Sequence, residues 1–111
     1  MELDSKLKIS SQDWNSLCWN GSLYNRAKDV MFACEKSVAL ASKDEIANAR
    51  VVRGLARALT GDTSGAIKDF EVHVKRIKDD KWKSRVKGWI KDLRNGNNPF
   101  TPEVLEELRK Q

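Results

Sequence analysis

The spacing of apolar residues along the chain predicts helices and almost no strands. Apolar residues recur every three or four positions, and no stretch shows the apolar–polar alternation of a half-buried strand. The only prolines are Pro99 and Pro102, so everything before them can be helical. Breaker residues divide the chain into six predicted helices, at about residues 11–23, 26–41, 44–60, 63–78, 80–95 and 101–110.

The predicted helices differ in how they should pack. The second, at about 26–41, is apolar on most sides, which is typical of a buried helix. The fourth and fifth each carry one apolar stripe and are expected to bury it. The stripe of the fourth helix consists of Ile67, Phe70, Val74 and Ile77, and that of the fifth of Trp82, Val86, Trp89, Ile90 and Leu93.

Two helix ends have clear sequence signals. Gly61 is expected to end the third helix in the left-handed conformation. Thr101 is expected to cap the sixth helix, whose first turn contains Pro102. Phe100 and Leu105 flank this cap at the spacing of a hydrophobic staple.

The chain contains an internal repeat. A shift of 36 positions superimposes small or apolar residues in both helices of two consecutive hairpins. Such self-similarity is the mark of stacked helical repeats, whose terminal units are atypical. The shift places Cys18 on Gly54, Val30 on Ala66 and Cys34 on Phe70.

These hairpins resemble the tetratricopeptide repeat. Trp14-x2-Leu17-Cys18 is similar to the family's W-x2-L-G, with cysteine in place of glycine, and Ala66-x3-Phe70 is similar to its A-x3-F. The resemblance implies an all-α fold of about two TPR-like hairpins with a capping helix and a short C-terminal helix. The implied organisation is a flexible segment at 1–10 and one domain at 11–111, with repeats at 11–44 and 47–80 and capping helices at 81–95 and 101–110.

The same resemblance assigns structural roles in the hairpins. Gly54 should lie where two helices cross closely, opposite Ala66 and Phe70, and Arg53 should form an ion pair with Asp69. Arg50 and Arg57 are left unassigned, with the fifth helix as one candidate for them to cover. Cys18 and Val30 are larger than the family's usual residues, so we expect the first hairpin to be splayed.

Function is expected from a surface and not from a catalytic centre. The family binds peptides on the concave face formed by the first helix of each hairpin, which implies a non-enzymatic protein-interaction or scaffolding module. The chain also resembles the repeat tails of bacterial, cyanobacterial-type multidomain proteins, which leaves a non-catalytic tail of an effector such as a caspase-like peptidase as an alternative. The positions on the implied concave face are Gln12, Asn15, Ser16, Trp19, Leu23, Asn48, Val51, Val52, Leu55, Leu59, Ser84, Lys87 and Lys91.

Charge adds a second candidate surface. The net charge is +5, and the stretch from His73 to Arg94 holds nine basic and three acidic residues. A basic stripe on the fifth helix is typical of a solvated face, but it also fits an acidic protein partner or, less well, nucleic acid, because Trp82 and Trp89 fall on the apolar face. The stripe consists of Lys83, Lys87, Lys91 and Arg94.

No pattern predicts catalysis, a metal or a cofactor. We expect Cys18, Cys34 and His73 to be structural, and the cysteines to be thiols in a reducing compartment. The polar N-terminus lacks a signal-peptide core and no run is long enough to span a bilayer, so we expect a cytoplasmic protein with no membrane partner. Two repeats are few for a stacked array, so a homodimer formed through the uncapped first hairpin is a further possibility.

Overall fold

The fold is all-α, as the sequence predicts. A computed structural model describes residues 9–111, in which six helices and no strand are found, so residues 1–8 of the segment expected to be flexible lie outside the described part. None of these helices is long and apolar enough to cross a membrane. Each observed bound lies within two residues of the predicted one. The helices are α1 (Ser11–Leu23), α2 (Ala27–Leu40), α3 (Ile46–Leu59), α4 (Thr63–Arg76), α5 (Asp80–Arg94) and α6 (Pro102–Arg109).

Side-chain caps explain where the helices begin. The Asp62 carboxylate accepts a hydrogen bond from the Gly65 amide at 2.9 Å at the start of α4. The Thr101 hydroxyl accepts one from the Val104 amide at 3.3 Å at the start of α6. Each bond satisfies an amide that the first helical turn leaves without a partner. The predicted N-cap of α6 is therefore confirmed.

Left-handed residues explain where the helices end. Gly61 has a φ of 90°, and the amide of the next residue, Asp62, donates to the Arg57 carbonyl at 2.8 Å. Together these features form a Schellman motif. Asn25 has a φ of 65° at the corresponding place after α1. The first hairpin therefore turns without glycine because asparagine tolerates the left-handed region.

The two hairpins cross at equivalent positions with different chemistry. In the second hairpin a methyl group at Gly54 would lie 2.6 Å from Phe70, so only glycine allows the observed approach. In the first, Cys18 and Cys34 occupy the positions equivalent to Gly54 and Phe70, and they form a disulfide with a Cα–Cα distance of 5.0 Å. The expectation of free thiols is thus wrong for this structure.

The first hairpin is not splayed, contrary to the expectation. The disulfide holds α1 against α2, and Val30 lies directly over Gly21, which has no side chain to displace it. The larger residue at position 18 is therefore accommodated by its disulfide with Cys34, and the larger residue at position 30 by Gly21 on the facing helix.

One cluster of buried apolar residues includes members of all six helices. The prediction that α2 is buried on most sides is wrong, because Phe32 is 56% exposed and Leu40 is 54% exposed. One face of α2 packs into the core against α1 and α3. The rest of the helix is largely exposed, although the Phe32 ring contacts Trp14 of α1 edge-on at 5.7 Å between centroids.

The sixth helix folds back onto the first. Phe100 and Leu105 are both buried in the core on either side of the Thr101 cap, as a staple requires. The Arg109 guanidinium donates to the Leu23 carbonyl at 2.7 Å. This contact joins the end of α1 to the last helix and places α6 against α1, while an ion pair between Arg85 and Glu107 at 3.0 Å links α6 to α5.

Candidate functional site

A cavity of about 290 Å³ opens between the first helices of the hairpins. The α1 helix contributes Trp19, the α5 helix contributes Trp82, and Gln111, which follows α6, also lines the cavity. We call this site the Trp19 cavity. Its lining residues are Asn15, Ser16, Trp19, Asn48, Val51, Val52, Trp82 and Gln111.

The Trp19 cavity is uncharged but not fully apolar. None of its described lining residues has a charged side chain. Within residues 9–111, the carbonyl oxygen of the Asn15 side chain is buried and has no hydrogen-bond partner. A buried acceptor without a donor destabilises a fold by about 1–3 kcal/mol, so such atoms are rare without a functional reason. The cavity is therefore suited to a neutral group that brings an N–H donor.

The predicted concave residues divide into two groups. Six of the thirteen meet at the Trp19 cavity, where the two valines are largely buried: Asn15, Ser16, Trp19, Asn48, Val51 and Val52. The other seven do not line it. Leu23 and Leu55 belong to the core together with Leu105 and Leu108 of α6, and Leu59 lies at a separate cavity beside Asn25 and Thr60. Lys87 and Lys91 line a groove between α4 and α5, and Gln12 and Ser84 also lie outside the Trp19 cavity.

The arginine row of α3 converges on a single buried carboxylate. Arg53 donates to Asp69 from Nε at 3.0 Å and from Nη2 at 2.9 Å. This is the predicted ion pair, and it is bidentate. Arg50 and Arg57 also donate to Asp69, at 2.5 and 3.2 Å, so the expectation that they cover α5 is wrong. They lie on the α3 face that meets α4.

A second carboxylate joins this network from the first hairpin. Glu35 of α2 accepts from Arg53 Nη1 at 2.7 Å. Burial alone would lower the pKa of Arg53, but the hydrogen bonds and charges of Asp69 and Glu35 outweigh burial and raise it. The network is therefore structural: it links α2, α3 and α4 and leaves Asp69 with no exposed side-chain surface.

The basic stripe does not act as one unit. Lys87, Lys91 and Arg94 line a groove between α4 and α5, on a different part of the surface from the Trp19 cavity, and Lys83 lies outside both.

The apolar stripe predicted for α4 is also divided. Phe70 is fully buried, whereas Val74 lines this groove.

The described residues contain no group of three or more histidine, cysteine or acidic side chains that could hold a metal ion. The one histidine, His73, is 2% exposed, and its Nδ1 lies 2.7 Å from the Ala47 carbonyl oxygen. Because a carbonyl only accepts, Nδ1 must carry a proton, and in the neutral ring this leaves Nε2, which has no partner within the described chain, unprotonated. Burial lowers the pKa of His73 and favours this neutral form.

Sequence reasoning missed two residues of the Trp19 cavity. Trp82 has the helical period of the core stripe, and its indole does contact Trp89 at 5.5 Å, yet its other edge faces the cavity. Gln111 reaches the cavity only because α6 folds back. No local pattern signals either contact, since both depend on how α5 and α6 pack against α1.

Comparisons with protein-family models, with curated proteins and with solved structures found no match to this chain. The resemblance to the tetratricopeptide repeat therefore rests on the motifs and the 36-residue repeat of the sequence.

Proposed function

We propose that this chain is a non-enzymatic protein-interaction module that binds a peptide or helical segment of a partner in the Trp19 cavity. The observation that carries the proposal is an uncharged cavity lined by Asn15, a residue whose side-chain carbonyl oxygen is buried and has no hydrogen-bond partner within residues 9–111. A peptide backbone supplies the N–H donor that this oxygen lacks, once the Asn15 side chain turns toward the cavity. The flanking indoles of Trp19 and Trp82 offer apolar contact area of the kind that dominates many interfaces.

The position of α6 supports a helical segment as one form of occupant. Amphipathic helices commonly dock with apolar residues at helical spacing in a groove. The α6 helix does this within the chain, since Leu105 and Leu108 enter the core while Arg109 donates to a backbone carbonyl of α1. Gln111, two residues after the end of α6, lines the Trp19 cavity.

The test measures the effect of one substitution on the stability of the fold and, separately, on peptide binding. Substitution of Asn15 by leucine removes the orphan acceptor at similar size, so we expect the free energy of unfolding to rise by about 1 kcal/mol. The binding test uses peptides that are selected on the wild-type protein from a random display library. Asn15→Leu should weaken the binding of these peptides by about tenfold, because the hydrogen bond to Asn15 is lost. Denaturation curves and fluorescence anisotropy with the synthesised peptides measure the two effects.

Asn20 provides a matched control on the same helix. It is exposed and does not line the cavity, so Asn20→Leu should leave peptide affinity within about twofold of the wild type. Peptides that bind Asn15→Leu as tightly as the wild type would contradict the proposal, as would a library that yields no binder at all.

The disulfide bears on where such a module acts. Disulfides persist in oxidising compartments, and in mesophile cytosol they are usually transient or redox-active. The Cys18–Cys34 bond is buried, with both residues at most 1% exposed, which argues for a structural bond. We therefore favour an oxidising compartment over the cytoplasmic location that the sequence predicts.

Self-association belongs to a different face of the molecule. Leu17 is 43% exposed beside Trp14 and Phe32 at the open end of the array. We propose this face for the homodimer predicted from the sequence. A monomeric mass in solution at high protein concentration would count against it.

A further inference from the structure

The groove between α4 and α5 combines an apolar floor with a basic rim. Its open volume is about 510 Å³. Val74 of α4 and Ile90 of α5 form the apolar part, and both helices contribute charged residues around it. We call it the α4–α5 groove. Its lining residues are Glu71, Val74, Lys75, Lys87, Ile90, Lys91, Arg94 and Asn95.

Most of the positive charge in this groove is uncompensated. Arg94 forms an ion pair with Glu71 across the groove. Among the described residues, Lys75, Lys87 and Lys91 have no carboxylate within 4.0 Å and are exposed. Three lysine ammonium groups therefore surround an apolar floor without an acidic partner, unlike the arginines of α3, which all pair with Asp69.

We infer that the α4–α5 groove is a docking site for an acidic amphipathic segment of a protein partner. The carboxylates of such a segment complement Lys75, Lys87 and Lys91, and its apolar side chains cover Val74 and Ile90. The groove shares no residue with the Trp19 cavity, so the inference does not depend on the proposed function.

The lining of the groove favours a protein over a nucleic acid. Binding of single-stranded nucleic acid needs aromatic faces for base stacking, and no aromatic residue of the described chain lines the groove. The tryptophans of α5 are occupied elsewhere: Trp89 is buried against Phe70, and Trp82 faces the Trp19 cavity.

The test uses a synthetic helical peptide of about four turns that carries glutamates beside a leucine stripe. Its affinity for the full chain is measured by fluorescence anisotropy. Charge reversal at two exposed rim positions, Lys87→Glu with Lys91→Glu, should weaken binding by about tenfold or more, because two attractions become repulsions. The matched control, Lys36→Glu with Lys43→Glu, has the same net charge but changes exposed residues outside the groove, and should alter affinity by less than about twofold.

Two further peptides and a second variant make each outcome decisive. A peptide with glutamine for glutamate and one with serine for leucine should both bind at least about tenfold more weakly, since each lacks one half of the complementarity. Lys75→Glu on α4 should also weaken binding, and this variant replaces the double variant in the test if the double variant fails to fold. The inference is overturned if the serine peptide binds as tightly as the leucine peptide. It is equally overturned if neither groove variant weakens binding, or if a uridine oligonucleotide binds the groove more tightly than the acidic peptide.

Discussion

Asp69 has no exposed side-chain surface, and its carboxylate is held by three arginines of α3 that remain 13–23% exposed. Removal of one partner from a buried ion pair destabilises a fold by about 3–5 kcal/mol, because the remaining charges stay partly desolvated. We expect Asp69→Asn, which preserves side-chain size, to lower the free energy of unfolding by about 3 kcal/mol. Urea denaturation followed by tryptophan fluorescence measures the change.

Glu35 gives the matched control for this prediction. It contacts Arg53 in the same network, but its side chain is 51% exposed, and exposed ion pairs contribute about 0–1 kcal/mol. Glu35→Gln should therefore lower the unfolding free energy by less than about 1 kcal/mol. Equal losses for Asp69→Asn and Glu35→Gln would contradict the assignment of Asp69 as the centre of the network.

The sequence predicted one of the three arginine contacts of Asp69. The pairing of Arg53 with Asp69 was expected from the resemblance to the tetratricopeptide repeat, whereas those of Arg50 and Arg57 depend on side chains that bend along α3 toward one carboxylate. Helical spacing placed all three arginines on one face but could not say which helix that face meets. The unpaired state of Asn15 was likewise beyond prediction, because it depends on every neighbour of the side chain.

At the scale of elements, the sequence predicts the helices well because their ends depend on local chemistry. Gly61, Asp62 and Thr101 act within one turn of the residues they cap. The close crossing at Gly54 was also predictable, since glycine inside a helix usually needs a packing reason. The disulfide was not, because the spacing of Cys18 and Cys34 allows contact but does not set the redox state.

The first hairpin should depend on that disulfide for stability. A cross-link that closes a loop of about 15 residues stabilises a fold by about 3 kcal/mol in the chain-entropy account, and the cysteines here are 16 residues apart. We expect Cys18→Ser with Cys34→Ser to lower the unfolding free energy by up to about 3 kcal/mol. Reducing agent should destabilise the wild type similarly and leave the double variant unchanged. Two alkylated thiols by mass spectrometry of the non-reduced, purified protein would contradict the bond.

At the scale of the whole molecule, the contacts that shape the surface join distant parts of the sequence. Arg109 meets Leu23 across 86 positions, and α6 thereby covers part of the face that the repeat pattern left open. The α4–α5 groove arises similarly, because the buried face of α4 contains His73 and Asp69 while Val74 remains at its edge. Periodicity within one helix cannot predict such offsets, so the sequence indicated the basic residues of α5 but not the groove.

Acid should destabilise the whole fold through His73, which contacts α3 through Ala47 and α5 through the ring of Trp82. Burial lowers the pKa of His73 below its ordinary value of 6.5. Above about pH 6.5 the imidazole is neutral in both states and contributes nothing to the pH dependence. Below it, the unfolded chain binds a proton that the folded chain excludes, so stability falls by up to about 1.4 kcal/mol per pH unit until the folded pKa is reached.

A glutamine at position 73 isolates this effect, because its amide can still donate to the Ala47 carbonyl but does not titrate near neutral pH. Between about pH 6.5 and 5.5 the unfolding free energy of the wild type should fall more steeply than that of His73→Gln. Carboxylates titrate in both proteins, so their contribution cancels in the difference between the two slopes. Parallel slopes from urea denaturation across this range would mean that His73 takes up a proton as readily in the folded protein as in the unfolded chain. The buried, neutral imidazole assigned from its contacts would then be wrong.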